Sequence, residues 1–177
     1  MKVVEPGQNR KIAALRFNFH VHFLFGGNMK KEYFDKVFQY AKKAESIGEV
    51  PIGAVIVKND EIIGIGYNKK ERKKSIVEHA ELIAINQAEK KIDNWRLNDC
   101  DIYVSLDPCP MCASAIKQAR IKNVYSALNN SDPNNLNIIT KIFEKDSTNP
   151  KVNFESNLSP EKAKEILSSF FEKQRNI

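Results

Sequence analysis

Cys109 and Cys112 stand three positions apart in Pro108-Cys109-Pro110-Met111-Cys112, and His79-Ala80-Glu81 lies upstream. If Pro110 opens a helix, where its missing N–H costs nothing, both sulfurs fall on one face. A helix N-terminus favours the thiolate that metal binding needs. His79, opening another helix, can supply a nitrogen. Three N/S ligands with no obvious fourth is the arrangement of a catalytic zinc, whose open position takes water. Glu81 follows His79 closely enough to reach that water but is poorly placed to ligate beside it. Its chemistry is general acid/base. A lone CxxC is also a structural zinc half-site or a redox pair, and this one follows a strand, as redox pairs do. The combination is more specific: H-x-E at one helix start, then a strand, then P-C-x-x-C at the next helix start.

Alternating elements must position these residues. Phe34, Val37, Phe38 and Ala41 form one stripe and predict a helix over Tyr33–Ala44. Ile52–Val57 reads as a buried strand. Asn59-Asp60 turns it into a hairpin partner, Ile62–Tyr67. A helix is expected over His79–Glu89, a strand over Asp101–Leu106, a helix over Pro110–Ala119 and a short strand over Lys122–Ser126. Asn129–Asn137 reads as an Asn-rich loop and Ile138–Phe143 as a short helix. Val152–Phe154 reads as an edge strand. Ser159-Pro160-Glu161 caps a final helix, Glu161–Gln174. The pattern is one α/β domain with helices covering a mixed sheet.

The chain has 177 residues, 42% hydrophobic and 28% charged, which suits one soluble domain and excludes collagen-like, mucin-like and wholly disordered readings. Lys plus Arg number 28 against 22 Asp plus Glu, a net charge of +6. That surplus fits a polyanionic partner, although drift toward Lys could also produce it. Three cysteines argue against a disulfide framework and for a reducing compartment. Cys100 reads as a buried thiol. The uncharged stretch Phe17–Met29 is shorter than the roughly 20 apolar residues a spanning helix needs, so no membrane is expected.

Residues 1–28 read differently from the rest. Phe17, Phe19, Val21, Phe23 and Phe25 alternate with period two, and Gly26-Gly27 breaks the run. Neither a secretory signal nor a transit peptide fits this composition. The segment is expected to be an N-terminal extension, disordered or a mis-assigned start, with Met29 opening the domain 29–177. His20 and His22 share a strand face but have no third ligand nearby.

These motifs resemble the zinc-dependent cytidine deaminase-like superfamily, and within it the chain is most similar to the bacterial tRNA-specific adenosine deaminases. The resemblance covers about Tyr33–Arg175. It rests on Glu49-Val50-Pro51-Ile52-Gly53-Ala54-Val55, Gly66-Tyr67-Asn68, His79-Ala80-Glu81, Asn94-Trp95-Arg96-Leu97, the stretch Tyr103–Ile116, and Ser168-Ser169-Phe170-Phe171. It implies a three-layer α/β/α fold with a five-stranded mixed sheet. It implies one Zn²⁺ per chain on His79, Cys109 and Cys112, with Glu81 as proton shuttle in hydrolysis of adenosine to inosine at the tRNA wobble position. It further implies binding of the anticodon arm, a homodimer and a cytoplasmic location.

For substrate contacts, the resemblance points to Asn68 at the target base, although Asn68 also reads as a turn residue after a strand. It points to Phe171 near the anticodon loop, although a core contact on the final helix reads equally well. Lys69, Lys70, Arg72, Lys73 and Lys74 form a basic loop leading to His79; in a deaminase fold it would lie beside the pocket mouth where phosphates pass, although a solvated charge run is the usual reading. Two positions depart from the family pattern: Asp107 where Glu usually precedes Pro-Cys, and Asn129 where an acidic residue follows the short strand. An amide at Asn129 could still hydrogen-bond a ribose, with altered preference. Two rival readings remain: a deaminase of a free base or nucleotide (guanine, deoxycytidylate or a riboflavin-pathway pyrimidine), and a zinc-stabilised RNA-binding module without catalysis. The intact Glu81 argues against the second.

Overall fold

Gly53–Lys58 is a nearly unbroken apolar run and forms β1, buried along most of its length. Asn59 and Asp60 follow at φ 50° and 64°, the left-handed pair that a two-residue hairpin requires. The chain returns as β2, Glu61–Tyr67, with Lys58 opposite Glu61. The computed structural model describes residues 30–175. The expectation for residues 1–28 lies outside these.

Five strands form one mixed sheet in the order β2-β1-β3-β4-β5, with β3 at Asp101–Val104, β4 at Asn123–Ser126 and β5 at Asn153–Glu155. β1 is antiparallel to both β2 and β3. β3, β4 and β5 run parallel. The expected five-stranded mixed α/β architecture is therefore present.

Alternation along β1 and β2 assigns helices to the two faces. Gly53 pairs with Tyr67 and faces helix α1 (30–45), whose backbone at Val37 and Ala41 leaves no room for a Cβ there. Gly64 and Gly66 face helix α3 (Ala80–Ile92) on the other side. Ala80, Ala84 and Ala88 line α3 at helical spacing and are fully buried, so small residues on both partners bring helix and strand backbones close. Helix α4 (Pro110–Gln118) and helix α5 (Pro133–Phe143) share the α3 face, and Ile116, Ile139 and Phe143 join its core. Helix α6 (Pro160–Arg175) joins the α1 face, where Lys162 pairs with Asp35 and Lys173 with Glu45. The result is a three-layer α/β/α arrangement, and the residues from Tyr33 onward form one compact unit.

Most elements differ from expectation by one to three residues at their ends. One expectation is corrected. The Asn-rich segment 129–137 is not all loop, because α5 starts at Pro133 rather than at Ile138. Asp132 accepts the Asn134 amide at 2.9 Å as N-cap, and Pro133 takes the first helical position. Within the basic loop, Lys70–Lys73 forms a single short helix, α2.

Candidate metal centre and catalytic site

His79 and Cys109 occupy equivalent positions in the fold. Each is the N-cap of a helix, in extended backbone conformation, and neither side chain caps its own helix. Both side chains are thus free to turn toward one point between α3 and α4. Cys112, in the first turn of α4, adds a buried sulfur. His79 Nδ1 lies 3.5 Å from Cys112 Sγ and 3.8 Å from Cys109 Sγ. The three ligand atoms all lie within 4.8 Å of one another. Zn–N and Zn–S bonds in a tetrahedral set would place such N and S atoms about 3.6 Å apart. The donor set and its spacing therefore fit a metal ion of that kind.

The two thiols do not ionise alike. A hydrogen bond from Cys112, helped by the Cys112 and Met111 amides, holds the Cys109 thiol down at about 5. That same bond to Cys109, with burial and the facing Glu81 carboxylate, pushes the Cys112 thiol up. Glu81, 4% exposed, sits in the first turn of α3 with its carboxyl hydrogen-bonded to Cys112. Burial is the main cause that pushes its pKa up, which favours a carboxyl able to hold a proton.

Asn68, half-buried at the end of β2, accepts the Ala80 amide on Oδ1 at 3.1 Å. It caps α3 from outside, a task His79 leaves undone. Asn68 thus has a structural task just past β2, and its Nδ2 makes no hydrogen bond among the described residues. His79, Glu81, Asn68, Cys109 and Cys112 thus converge, while Asn129 and Phe171 lie outside the cluster. Asn129 is exposed in the loop after β4. Phe171 is 47% exposed on α6, whereas Phe170 beside it is 7% exposed, so the core contact belongs to Phe170.

Two buried carboxylates support the site, and sequence reasoning gave a role to neither Glu49's loop contacts nor Asp107's partners, although it singled out Asp107 as a departure beside Pro108-Cys109. Glu49, 2% exposed, accepts the amides of Arg72 at 2.7 Å and Glu71 at 3.2 Å, so it anchors the basic loop. Asp107, equally buried, accepts the Ser156 hydroxyl at 2.6 Å and the Asn130 amide at 3.1 Å.

Fold and site together define a deaminase: the family model described as MafB19-like deaminase matches residues 28–175. A tRNA-specific adenosine deaminase of Aquifex aeolicus (strain VF5) is 41% identical over 150 residues, covering 84% of this chain and 98% of that one. The tRNA-specific adenosine deaminase of Bacillus subtilis (strain 168) is 35% identical over 143 residues, covering 81% and 89%. This chain belongs to the family of tRNA-specific adenosine deaminases. A solved structure from a study of A-to-I editing by tRNA:A34 deaminases superposes with TM-score 0.70 at 30% identity, covering 77% of this chain and 99% of that one. A guanine deaminase structure from Bacillus subtilis superposes less well, with TM-score 0.56 at 30% identity over 83% and 94%.

Proposed function

We propose that this chain hydrolyses the wobble-position adenosine of tRNA to inosine, releasing ammonia. The observation that carries the chemistry is the buried Glu81 carboxyl packed against the His79, Cys109 and Cys112 cluster. The relatives that are 41% and 35% identical over most of their length support tRNA as the substrate.

His79 Nδ1, Cys109 Sγ and Cys112 Sγ would hold one Zn²⁺ per chain, which when bound supplies Lewis-acid activation of a water. Glu81 takes the proton from the attacking water and delivers it to the adenine ring nitrogen beside the amine-bearing carbon. It then carries the second proton to the departing amine, so water and adenosine give inosine and ammonia. The raised pKa of Glu81 suits a group that must hold a proton between these steps. Asn68 holds the start of α3 through Ala80, which leaves its Nδ2 to donate to the target base. A wobble base must leave its stack to enter, which favours a loop over a duplex.

The same reading carries the anticodon arm as the bound RNA element, Phe171 as an aromatic stacking surface and Asn129 as a ribose contact. Exposure of both residues supports it. It also carries a homodimer, to be checked by sedimentation, and the cytoplasm, where reduced thiols persist. Among the described residues no helix is long and apolar enough to cross a membrane. A domain spanning 29–177 with residues 1–28 as an extension completes the reading.

The similarity to guanine deaminase favours one rival, deamination of a free base. Ammonia release and inosine formation separate the two. The substrates are an anticodon stem-loop with adenosine at the wobble position, the same loop with guanosine there, and free adenosine, guanine and deoxycytidylate. Inosine in the adenosine loop alone is the expected result, and turnover of guanine alone overturns the RNA substrate. Zinc and RNA binding without ammonia release would indicate the non-catalytic module.

A further inference from the structure

A groove of about 800 Å³ runs along the open edge of β2, outside the catalytic cluster. Tyr40 and Lys43 of α1 line one side, Tyr67 of β2 the floor, and Asn86 and Lys90 of α3 the other side. Lys69 and Lys73 enter from the α2 turn.

Tyr67 is the hub of this groove. Its ring stacks on Tyr40 with centroids 6.2 Å apart and planes 20° apart. Lys69 Nζ stands 4.6 Å and Lys43 Nζ 4.9 Å from the Tyr67 centroid. The ring attracts each ammonium, but two ammonium groups on one ring repel each other. Among the described residues none of Lys43, Lys69, Lys73 and Lys90 is ion-paired, and Glu78 is the sole carboxylate lining the groove. An excess of unpaired cations held in place by aromatic rings is what a repeating anion needs. Each phosphodiester brings one negative charge and oxygens that accept from ammonium groups.

Two residues that line the groove, Lys69 and Glu78, are the chain neighbours of Asn68 and His79. The Lys69 amide donates to the Glu78 carbonyl at 3.0 Å. That bond joins the residue after Asn68 to the residue before His79. A strand whose base reaches Glu81 passes close to Lys69, the residue after Asn68.

We infer that this groove is a subsite for the phosphodiester backbone of RNA flanking the deaminated nucleotide. The inference rests on the RNA reading above. Gln87 in this groove already accepts the Ile65 amide on its Oε1. The lysine contacts go to phosphate, which carries no sequence information, so the subsite supplies affinity and orientation.

The test measures binding of a fluorescent anticodon stem-loop across a salt series, alongside inosine formation. The groove variant carries Lys43→Gln, Lys73→Gln and Lys90→Gln, all exposed positions. A control carries Lys122→Gln, Lys145→Gln and Lys164→Gln, also exposed. Circular dichroism and metal content establish that each variant folds. The groove variant is expected to bind at least tenfold more weakly, with a salt slope shallower by about 2. Tyr67→Leu is expected to weaken binding about twofold to fivefold with the slope kept, because the ring orients charge without supplying it. Equal losses in groove and control variants would reduce the effect to net charge and overturn the subsite. Inosine formation by the unmodified protein, with unchanged binding by the groove variant, overturns the subsite and leaves the RNA reading standing. Failure of the unmodified protein to bind or convert the stem-loop, with guanine turned over, overturns the RNA reading first and the subsite with it.

Discussion

Asn68 Oδ1 accepts the Ala80 amide at 3.1 Å and so ties the end of β2 to the first turn of the helix that carries His79 and Glu81. His79 is the N-cap but its side chain turns to Cys109 and Cys112, so the cap comes from another element. Asn68→Ala leaves the Ala80 donor without its partner and is expected to cost about 1 kcal/mol of stability. Asn68→Asp keeps the acceptor and should hold stability near the original, while removing the Nδ2 donor. Thermal melts beside inosine assays separate the two roles. If Asn68→Asp is both stable and fully active, Nδ2 contributes nothing to the substrate.

Glu81→Gln replaces a buried carboxyl that burial already pushes toward the neutral form. The amide is of the same size and carries no charge, so fold and metal content should be retained. Turnover is expected to fall by about 10² to 10⁴ through loss of proton transfer. Single-turnover rates with elemental analysis of the same sample check this. Substantial residual activity in a metal-loaded variant would remove Glu81 from the proton path.

The cluster was legible because its chemistry is local in sequence: H-x-E and P-C-x-x-C each sit at a helix start, where spacing alone aims the side chains. The five-stranded sheet was legible for a similar reason, since apolar runs and the Asn59-Asp60 turn are local signals. Interactions between distant segments were not. Glu49 anchors Glu71 and Arg72 across the fold, and nothing near Glu49 marks those partners. The Tyr40–Tyr67 stack joins α1 to β2 across Gly53 of β1, which pairs with Tyr67 and lets α1 approach closely. At α5, Asn-rich composition hid the Asp132-Pro133 start signal. On α6, helical periodicity did hold the answer: Ala163, Ile166 and Phe170 share the buried stripe and Phe171 falls outside it.

Cys112 is buried between α3 and α4, so a metal on it links two helix starts. Cys112→Ala should lose bound metal and lower the melting temperature. Chelation of the unmodified protein should produce a fall of similar size, and chelator should add nothing further to the variant. Unchanged metal content in Cys112→Ala would exclude this sulfur as a ligand.

Stability should decline on the alkaline side. Burial pushes the Cys100 thiol from its ordinary 9.0 up to about 11 and pushes the Tyr103 phenol up as well. Below about pH 9 both groups are protonated in folded and unfolded chains alike, and their contribution is fully present. As pH rises through the window from 9 to about 11, the unfolded chain gives up protons that the folded chain keeps, so unfolding gains ground. Cys100→Ala should flatten this decline by up to about 1.4 kcal/mol per pH unit, the effect of one proton. Urea midpoints measured across that window decide it, and parallel curves for variant and original would show that Cys100 does not titrate there.

Asp107 holds the loop after β4 from a position directly before Pro108-Cys109. Its carboxylate accepts the Asn130 amide and the Ser156 hydroxyl, and its own amide donates to the Leu128 carbonyl at 2.9 Å. Both oxygens of the shorter acid are thus engaged. Asp107→Ala leaves two donors without a partner and should cost about 1–3 kcal/mol. Because the loop it releases carries Asn129, the KM for the RNA stem-loop should rise while metal content holds. Asn129→Asp tests the neighbouring position directly: exposed and outside the metal cluster, it should leave stability within about 0.5 kcal/mol and alter only KM for RNA. A change in metal content or melting temperature with Asn129→Asp would mean the loop supports the cluster rather than the substrate.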